Sequence, residues 1–321
     1  LHMEKLLEVK DLKVSFFTDL GETQAVKGAG FAIGEGDFFG IVGESGSGKS
    51  VTTKSILRLG PSNCKIMGGE ILFRGEDILK KNETELREIR GGEIAMIFQD
   101  SLSALNPVYT VGNKMVELIR RHTNMNKKEA KARVLELLTA VGITDPEKAI
   151  NSYPHELSGG MRQRVMIAMA MSSDPKILIA DEPTTALDVT IQAQILHLLL
   201  ELQKKNNMSI ILITHDLGVV AQTCKRVAVM CGGYVVEEGT VEEIFLHPGH
   251  PYTQALIASM PRVGGTFEQF LERDLSDGNG DLCPFLNRCK YADKPCEACL
   301  PKYYEASEGH RIFCHRREEK R

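Results

Sequence analysis

No stretch of eighteen or more apolar residues occurs in this chain of 321 residues, which excludes a helical membrane span of its own. A basic-then-apolar leader is missing too, so no secretory signal is expected; Leu1 and His2 ahead of Met3 read as a cloning remnant. Positive charge is not in excess. The 39 Lys and Arg against 43 Asp and Glu leave −4, and no overall positive field points to nucleic acid. There is no internal repeat, no second phosphate loop and no long coiled-coil insert. Cysteine is sparse through the first three quarters, where only Cys64, Cys224 and Cys231 lie. Cys283, Cys289, Cys296, Cys299 and Cys314 crowd the last part instead, which points to metal before disulfide in a chain without an export signal. With 42% apolar and 26% charged residues the composition is that of an ordinary globular protein, and the length suits one large domain with an appendage.

Short β-rich segments from Leu6 to Leu12 and from Gly30 to Val42 alternate with Gly and Asp turns. Phe38-Phe39-Gly40-Ile41-Val42 reads as a buried strand delivering into a glycine loop, and Ser50 to Leu59 carries helical periodicity. Gly92 to Phe98 reads as a further strand. Met115, Leu118, Ile119, Val134, Leu137, Leu138 and Val141 recur at helical spacing, which predicts a helical insert within a strand–helix scaffold. Lys176–Ala180 and Ser209–Ile213 are continuous apolar runs, as in a parallel sheet covered on both faces, with a helix over about Ile191–Lys205 between them. Val227–Met230 and Gly233–Val236 resemble a closing strand pair. Beyond Pro261 the periodicity fades, and Asp277-Gly278-Asn279-Gly280-Asp281 reads as a linker or turn.

Gly43-Glu44-Ser45-Gly46-Ser47-Gly48-Lys49-Ser50 fits G-x-x-x-x-G-K-S/T without deviation. Its glycines let backbone N–H groups wrap phosphate oxygens at the positive end of the next helix. Lys49 would reach the β and γ phosphates and Ser50 would ligate Mg²⁺, with Val51 following in the helix. Asp181 and Glu182 close the apolar run Ile177-Leu178-Ile179-Ala180. There Asp181 would hold Mg²⁺ and Glu182 would polarise the attacking water. Leu157-Ser158-Gly159-Gly160 precedes a helix through Met161–Met171, whose N-terminus would present a hydroxyl and backbone donors to a γ-phosphate.

The ordered set of the phosphate loop (43–50), Gln99, Leu157-Ser158-Gly159-Gly160, Asp181-Glu182, Ala186-Leu187-Asp188 and His215 resembles the ATP-binding cassette (ABC) ATPases over roughly the first 260 residues. The resemblance implies an α/β fold: a P-loop (RecA-like) core with an N-terminal antiparallel β-subdomain and a helical insert. It implies two cassettes closing head to tail around two ATP molecules, each gripped by one subunit's phosphate loop and the other's signature residues Ser158, Gly159, Gly160 and Gln163. It also implies that Gln99 touches Mg²⁺ or its water, that His215 contacts the γ-phosphate and that Asp188 lies at the dimer seam. Phe16 would stack on adenine, with Phe17 as its rival for that place.

Three further stretches resemble the ATPase subunits of dipeptide and oligopeptide importers, a branch that nickel importers share. They are Gln99–Pro107 with Val111-Gly112, the run from His250-Pro251-Tyr252 to Pro261, and the cysteine-bearing tail. Spacings of five, six and seventeen residues separate Cys283, Cys289, Cys296 and Cys314, a set able to hold either Zn²⁺ or an iron–sulfur cluster. Only Cys296-Cys299 has the knuckle spacing of a zinc ribbon, and the resemblance favours a 4Fe–4S cluster on Cys283, Cys289, Cys296 and Cys314, with Cys299 either a spare thiol or a competitor of Cys296. Arg288, Lys290, Arg311 and Arg316 would offset the cluster's negative charge. Few apolar residues are at hand, so this small cysteine-rich tail is expected to fold on its metal.

The domains expected are 3–262 for the ATPase, with the helical insert at about 101–172, and 263–321 for the cysteine-rich tail. Function is expected to be ATP hydrolysis powering peptide import, by a peripheral protein at the cytoplasmic face of the membrane. Its partners would be a second ATPase subunit, the same or different, two membrane permease subunits and an extracytoplasmic peptide-binding protein, with no nucleic acid. The rival readings are an ABC ATPase of DNA repair or translation, and a redox sensor in the tail.

Overall fold

The computed structural model describes residues 5–99, 105–260 and 282–316. Leu1 and His2, the residues from Asp100 to Ala104, Pro261, the expected boundary at 262 and the linker or turn expected at Asp277–Asp281 lie outside them. Within the described residues the chain forms two compact units, one from 5–34, 38–79, 214–260 and 282–316, the other from 35–37, 80–99 and 105–213.

The first unit opens with a hairpin, β1 (Lys5–Thr18) against β2 (Gly21–Gly34). Leu7, Val9, Leu12 and Val14 are buried along β1, and register shifts between Val9 and Leu12 keep that apolar set on one face. Next, β3 (Phe38–Val42) is buried at every position and leads through the glycine loop into α1 (Lys49–Ile56). β4 (Cys64–Phe73) pairs with β1, and β5 (Glu76–Asp77) with β4, giving an antiparallel sheet ordered β2-β1-β4-β5.

The second unit carries α2 (Glu83–Ile89) and β6 (Ile94–Ile97), then the helices α3 (Val111–His122), α4 (Lys127–Ala140), α5 (Pro146–Ala149) and α6 (Gly159–Ala170). Asn82 and Asn126 begin α2 and α4 with reciprocal capping boxes to Glu85 and Glu129. β7 (Ile177–Asp181), α7 (Val189–Asn206) and β8 (Ser209–Thr214) follow. β6, β7 and β8 run parallel, and every residue of β7 and β8 is buried, which explains their unbroken apolar sequence.

The chain then returns to the first unit with α8 (Leu217–Thr223), β9 (Arg226–Cys231) and β10 (Tyr234–Thr240). Gly232 and Gly233, at φ 50 and 87, make the turn between these strands. β10 runs four residues past Val236 because both carboxylates in its sequence are neutralised inside. Glu237 is fully buried, accepts the N–H groups of Gly249 and His250 at 2.7 and 3.0 Å and meets His310 Nε2 at 2.7 Å. Glu238 pairs with Arg226 at 2.5 Å and with Arg311. After α9 (Val241–Leu246), α10 (Pro251–Ala258) and α11 (Lys294–Ala298), the hairpin β11 (Tyr303–Ser307) and β12 (His310–Phe313) pairs through β12 with β10.

The tail therefore rests on more than its cysteines. Phe313 stacks on Tyr234 at 5.2 Å and packs on Tyr303 at 4.9 Å, and Ile312 and Phe285 are buried. The apolar residues that hold it come from β10 and α10, which its own composition does not show. No helix among the described residues is long and apolar enough to cross a membrane.

Candidate functional site

The phosphate loop is shaped by backbone contacts that only glycine permits. Gly43, at φ 153, lies so close to the Met230 carbonyl that a Cβ would come within 2.2 Å of it, and a Cβ on Gly48, at φ 100, would meet the Ala25 carbonyl at 2.7 Å. The loop is tied to the β9–β10 turn by the Gly233 N–H on the Ser47 carbonyl at 3.0 Å. Gly48 begins α1 without a side-chain cap, and the first turn holds no acidic residue, so the N–H groups there suit an anion. Lys49 is buried, its Nζ donating to the carbonyls of Gly43 and Glu44 at 2.8 Å each. Ser47 Oγ is buried without a hydrogen-bond partner among the described residues, while Glu44, Ser45 and Gly46 are exposed. In the same unit, Phe16 and Phe17 are half-buried on β1, with Lys65 Nζ 5.2 Å from the Phe17 ring centroid. His215 is exposed just beyond β8.

In the second unit, Asp181 is fully buried at the end of β7, and Glu182 follows with φ 46, a left-handed conformation that strains a non-glycine residue. The Glu182 carboxylate accepts from Gln99 Nε2 and from Thr185 Oγ1, both at 2.9 Å. Gln99 and Glu182, 83 positions apart in the chain, are thus brought together. Ser158 caps α6 by accepting the Met161 N–H at 3.3 Å, and Asp188 caps α7 by accepting the Ile191 N–H at 3.0 Å. Ser158, Gly159, Gly160, Leu187 and Asp188 line one groove of about 850 Å³. Gly160 has a reason to be glycine, since a Cβ there would stand 3.0 Å from Ile191. Gln163 does not join this group; its side chain is buried, 4% exposed, inside the unit.

Cys283, Cys289, Cys296 and Cys314 ring one apolar cavity of about 20 Å³ with His250 and Phe285 at its wall, and Cys299 stands outside it, exposed. Burial pushes the Cys283 and Cys296 thiols up to about 11, and Cys314 is raised for the same reason. His250, whose Nδ1 accepts the Tyr252 N–H at 3.0 Å, is held neutral by burial, its pKa lowered to about 4. Among the described residues no three His, Cys, Asp or Glu side chains converge as ligands of a single ion. Of the basic residues expected to offset charge on the cysteines, Arg316 favours the charged form of Cys314, while the others have further partners. Arg311 is committed to the buried Glu238 carboxylate and the Gly30 carbonyl, and Arg288 pairs with the exposed Glu44 carboxylate. Lys290 and Arg316 lie over the Tyr291 ring. Tyr252, whose hydroxyl accepts the Glu44 N–H at 2.9 Å, touches the phosphate loop and carried no signal beyond its place in the His250-Pro251-Tyr252 run.

Two family models match the chain: "ABC transporter" over residues 26–185, and "Oligopeptide/dipeptide transporter, C-terminal region" over residues 236–296. The oligopeptide transport ATP-binding protein OppD of Bacillus subtilis is 51% identical over 97% of this chain and 89% of its own length. The dipeptide transport ATP-binding protein DppD of the same organism is 49% identical over 97% of this chain and 95% of its own. Among solved structures, a dimeric ATP-binding cassette in a post-hydrolysis state, bound to ADP and Pi, superposes with a TM-score of 0.66 at 30% identity. That match covers 73% of this chain and 98% of the other.

Proposed function

Because the chain belongs to the ATP-binding proteins of ABC transporters, in the branch of the dipeptide and oligopeptide transporters, we propose that it hydrolyses ATP to drive peptide import across a membrane. The observation that carries this reading is the near-full-length likeness to an oligopeptide and a dipeptide transport ATP-binding protein, on a chain whose phosphate loop keeps its glycine-only geometry. Lys49 and the N–H groups of residues 43–51 hold the phosphates; Ser50, Asp181 and Gln99 serve Mg²⁺; Phe16 stacks on adenine. Glu182 polarises the attacking water, held at the carboxylate by Gln99 and Thr185, and His215 contacts the γ-phosphate. Ser158, exposed, and the half-buried Gly159 and Gly160, all lining one groove with Asp188, grip the ATP of a second ATPase subunit. ATP at that seam favours the closed pair, and hydrolysis releases it. The closing motion is passed to two membrane permease subunits on the cytoplasmic side, through the helical insert of a domain spanning 3–262, with a peptide-binding protein supplying cargo outside.

We further propose a 4Fe–4S cluster on the four thiols around one cavity in the tail domain (263–321), preferred to a lone zinc ion on the resemblance to the peptide importers. The four side chains line one shared space, as ligands of a single group must. Bound as thiolates to 4Fe–4S, Cys283, Cys289, Cys296 and Cys314 would give the tail a redox-active centre. Iron and acid-labile sulfide near four per chain in anaerobically purified protein are expected; zinc near one without sulfide would reverse the assignment.

The test of the whole reading is uptake by the reconstituted transporter. With Glu182→Gln, ATP still binds while hydrolysis and peptide uptake fall by about a hundredfold or more. Uptake of nickel ions and not of peptides by the wild-type assembly would move the cargo to the other member of the branch. Hydrolysis at the wild-type rate in the variant would show that Glu182 does not polarise the attacking water.

A further inference from the structure

Two side chains from late in the sequence grip the first turn of the phosphate loop. The Tyr252 hydroxyl accepts the Glu44 N–H at 2.9 Å, and Arg288 Nη1 donates to the Glu44 carboxylate at 2.9 Å. Arg288 is 14% exposed, its guanidinium 5.1 Å from the Phe285 ring centroid and 5.8 Å from that of Tyr252. Those two rings meet edge to face at 5.4 Å. A second route joins the same segment to the far side of the loop. Pro284 packs on Gly232 so closely that a Cβ there would stand 2.6 Å away, and the neighbouring Gly233 N–H holds the Ser47 carbonyl at 3.0 Å. Arg288 and Pro284 are the immediate neighbours of Cys289 and Cys283.

We propose that Arg288 and Tyr252 are positioning residues of the phosphate loop, through which the cysteine-bearing segment 282–289 sets nucleotide affinity. The inference rests on reading residues 43–50 as the nucleotide site. A planar guanidinium is required, because it must lie over two rings while donating to a carboxylate, a geometry that an ammonium does not reproduce. Tyr252 fixes the backbone at Glu44 and Arg288 fixes its side chain, so the loop enters its first turn in one conformation. Binding energy not spent on ordering that turn appears as affinity. Coupling of this kind is reciprocal: nucleotide on the loop must steady the segment 282–289 by the same factor.

The experiment uses the purified full-length chain, with MgADP as probe, read by calorimetry and by hydrogen exchange over 282–299. Arg288→Gln and Tyr252→Phe are expected to weaken MgADP by about three- to tenfold, with Arg288→Lys in between. Arg288→Gln combined with Glu44→Gln should be no worse than either alone, which a merely structural role of Arg288 would not produce. MgADP should slow exchange over 282–289 in the wild type and lose that effect in Arg288→Gln. Tyr252→Phe keeps the buried ring and removes only the hydroxyl, so it reads the contact even if Arg288→Gln unfolds the tail. Wild-type affinity in both variants, additive losses in the double variant, or exchange indifferent to MgADP would each overturn the proposal. A wild type that binds no MgADP at all would instead overturn the nucleotide reading, and this inference with it.

Discussion

At the scale of single residues, backbone geometry separates glycines that look alike in sequence. Gly43, Gly46 and Gly48 all have positive φ, but a Cβ on Gly46 would meet nothing within 4 Å whereas one on Gly43 would strike the Met230 carbonyl. Gly43→Ala should therefore lose about 2 kcal/mol or more in urea unfolding and bind ADP poorly. Gly46→Ala should cost only about 1 kcal/mol and keep most of its affinity. The cysteines divide in the same way. Burial pushes Cys224 and Cys231 up to about 12, so at pH 8 both stay protonated, while Cys299 is exposed. Native alkylation followed by mass spectrometry should label Cys299 first, and Cys224 and Cys231 only after unfolding. Lys49, Ser50, Asp181 and Glu182 were legible as a set because their chemistry depends on order along the chain. The bond from Gln99 to Glu182 was not, since no local pattern relates residues 83 positions apart.

At the scale of elements, periodicity located most helices and strands and misjudged their ends. The predicted strand at Val227–Met230 and its partner at Gly233–Val236 lengthen to Arg226–Cys231 and Tyr234–Thr240. The reason is that Glu237 and Glu238 look like a polar stop but are buried against His310, Arg226 and Arg311. Caps are the clearest local signals. Asn126→Ala removes the capping box of α4 and is expected to lower stability by about 1 kcal/mol in thermal unfolding, with ATPase activity retained. The hairpin β11–β12 is where composition misled. Phe313→Ala should destabilise the tail by about 3 kcal/mol, read as faster proteolysis after residue 282, because Phe313 stacks on Tyr234 and packs at a tilt on Tyr303. Cys289→Ser, by contrast, should loosen the cavity lined by Cys283 and Cys296 while β12 stays paired with β10.

At the scale of the whole molecule, each unit presents its own half of the chemistry. One carries the phosphate loop and the cysteine cavity; the other carries the Glu182 carboxylate and the groove lined by Ser158, Gly159 and Gly160. A groove of about 850 Å³ with Ser158, Gly159 and Gly160 along it is the face proposed above to meet the nucleotide of a second subunit. Glu182→Gln with MgATP should therefore elute at the mass of a dimer in size exclusion, while Lys49→Ala stays at the monomer mass. A monomer under both conditions would assign the opposing signature residues to a different ATPase subunit.

Order and identity of residues along the chain were enough to single out the phosphate loop, the Asp-Glu pair, the Leu157–Gly160 segment and the four tail cysteines that line one cavity. Each is a local pattern whose chemistry follows from which side chains stand next to which. Only the tertiary structure placed Arg288 and Tyr252 on Glu44, buried Gln163, left Cys299 outside the cavity and turned the tail's last strand into part of the β10 sheet. Those outcomes depend on contacts between residues tens to hundreds of positions apart. They are decided by which apolar faces and buried charges find partners when the chain packs, and local spacing holds no record of that choice.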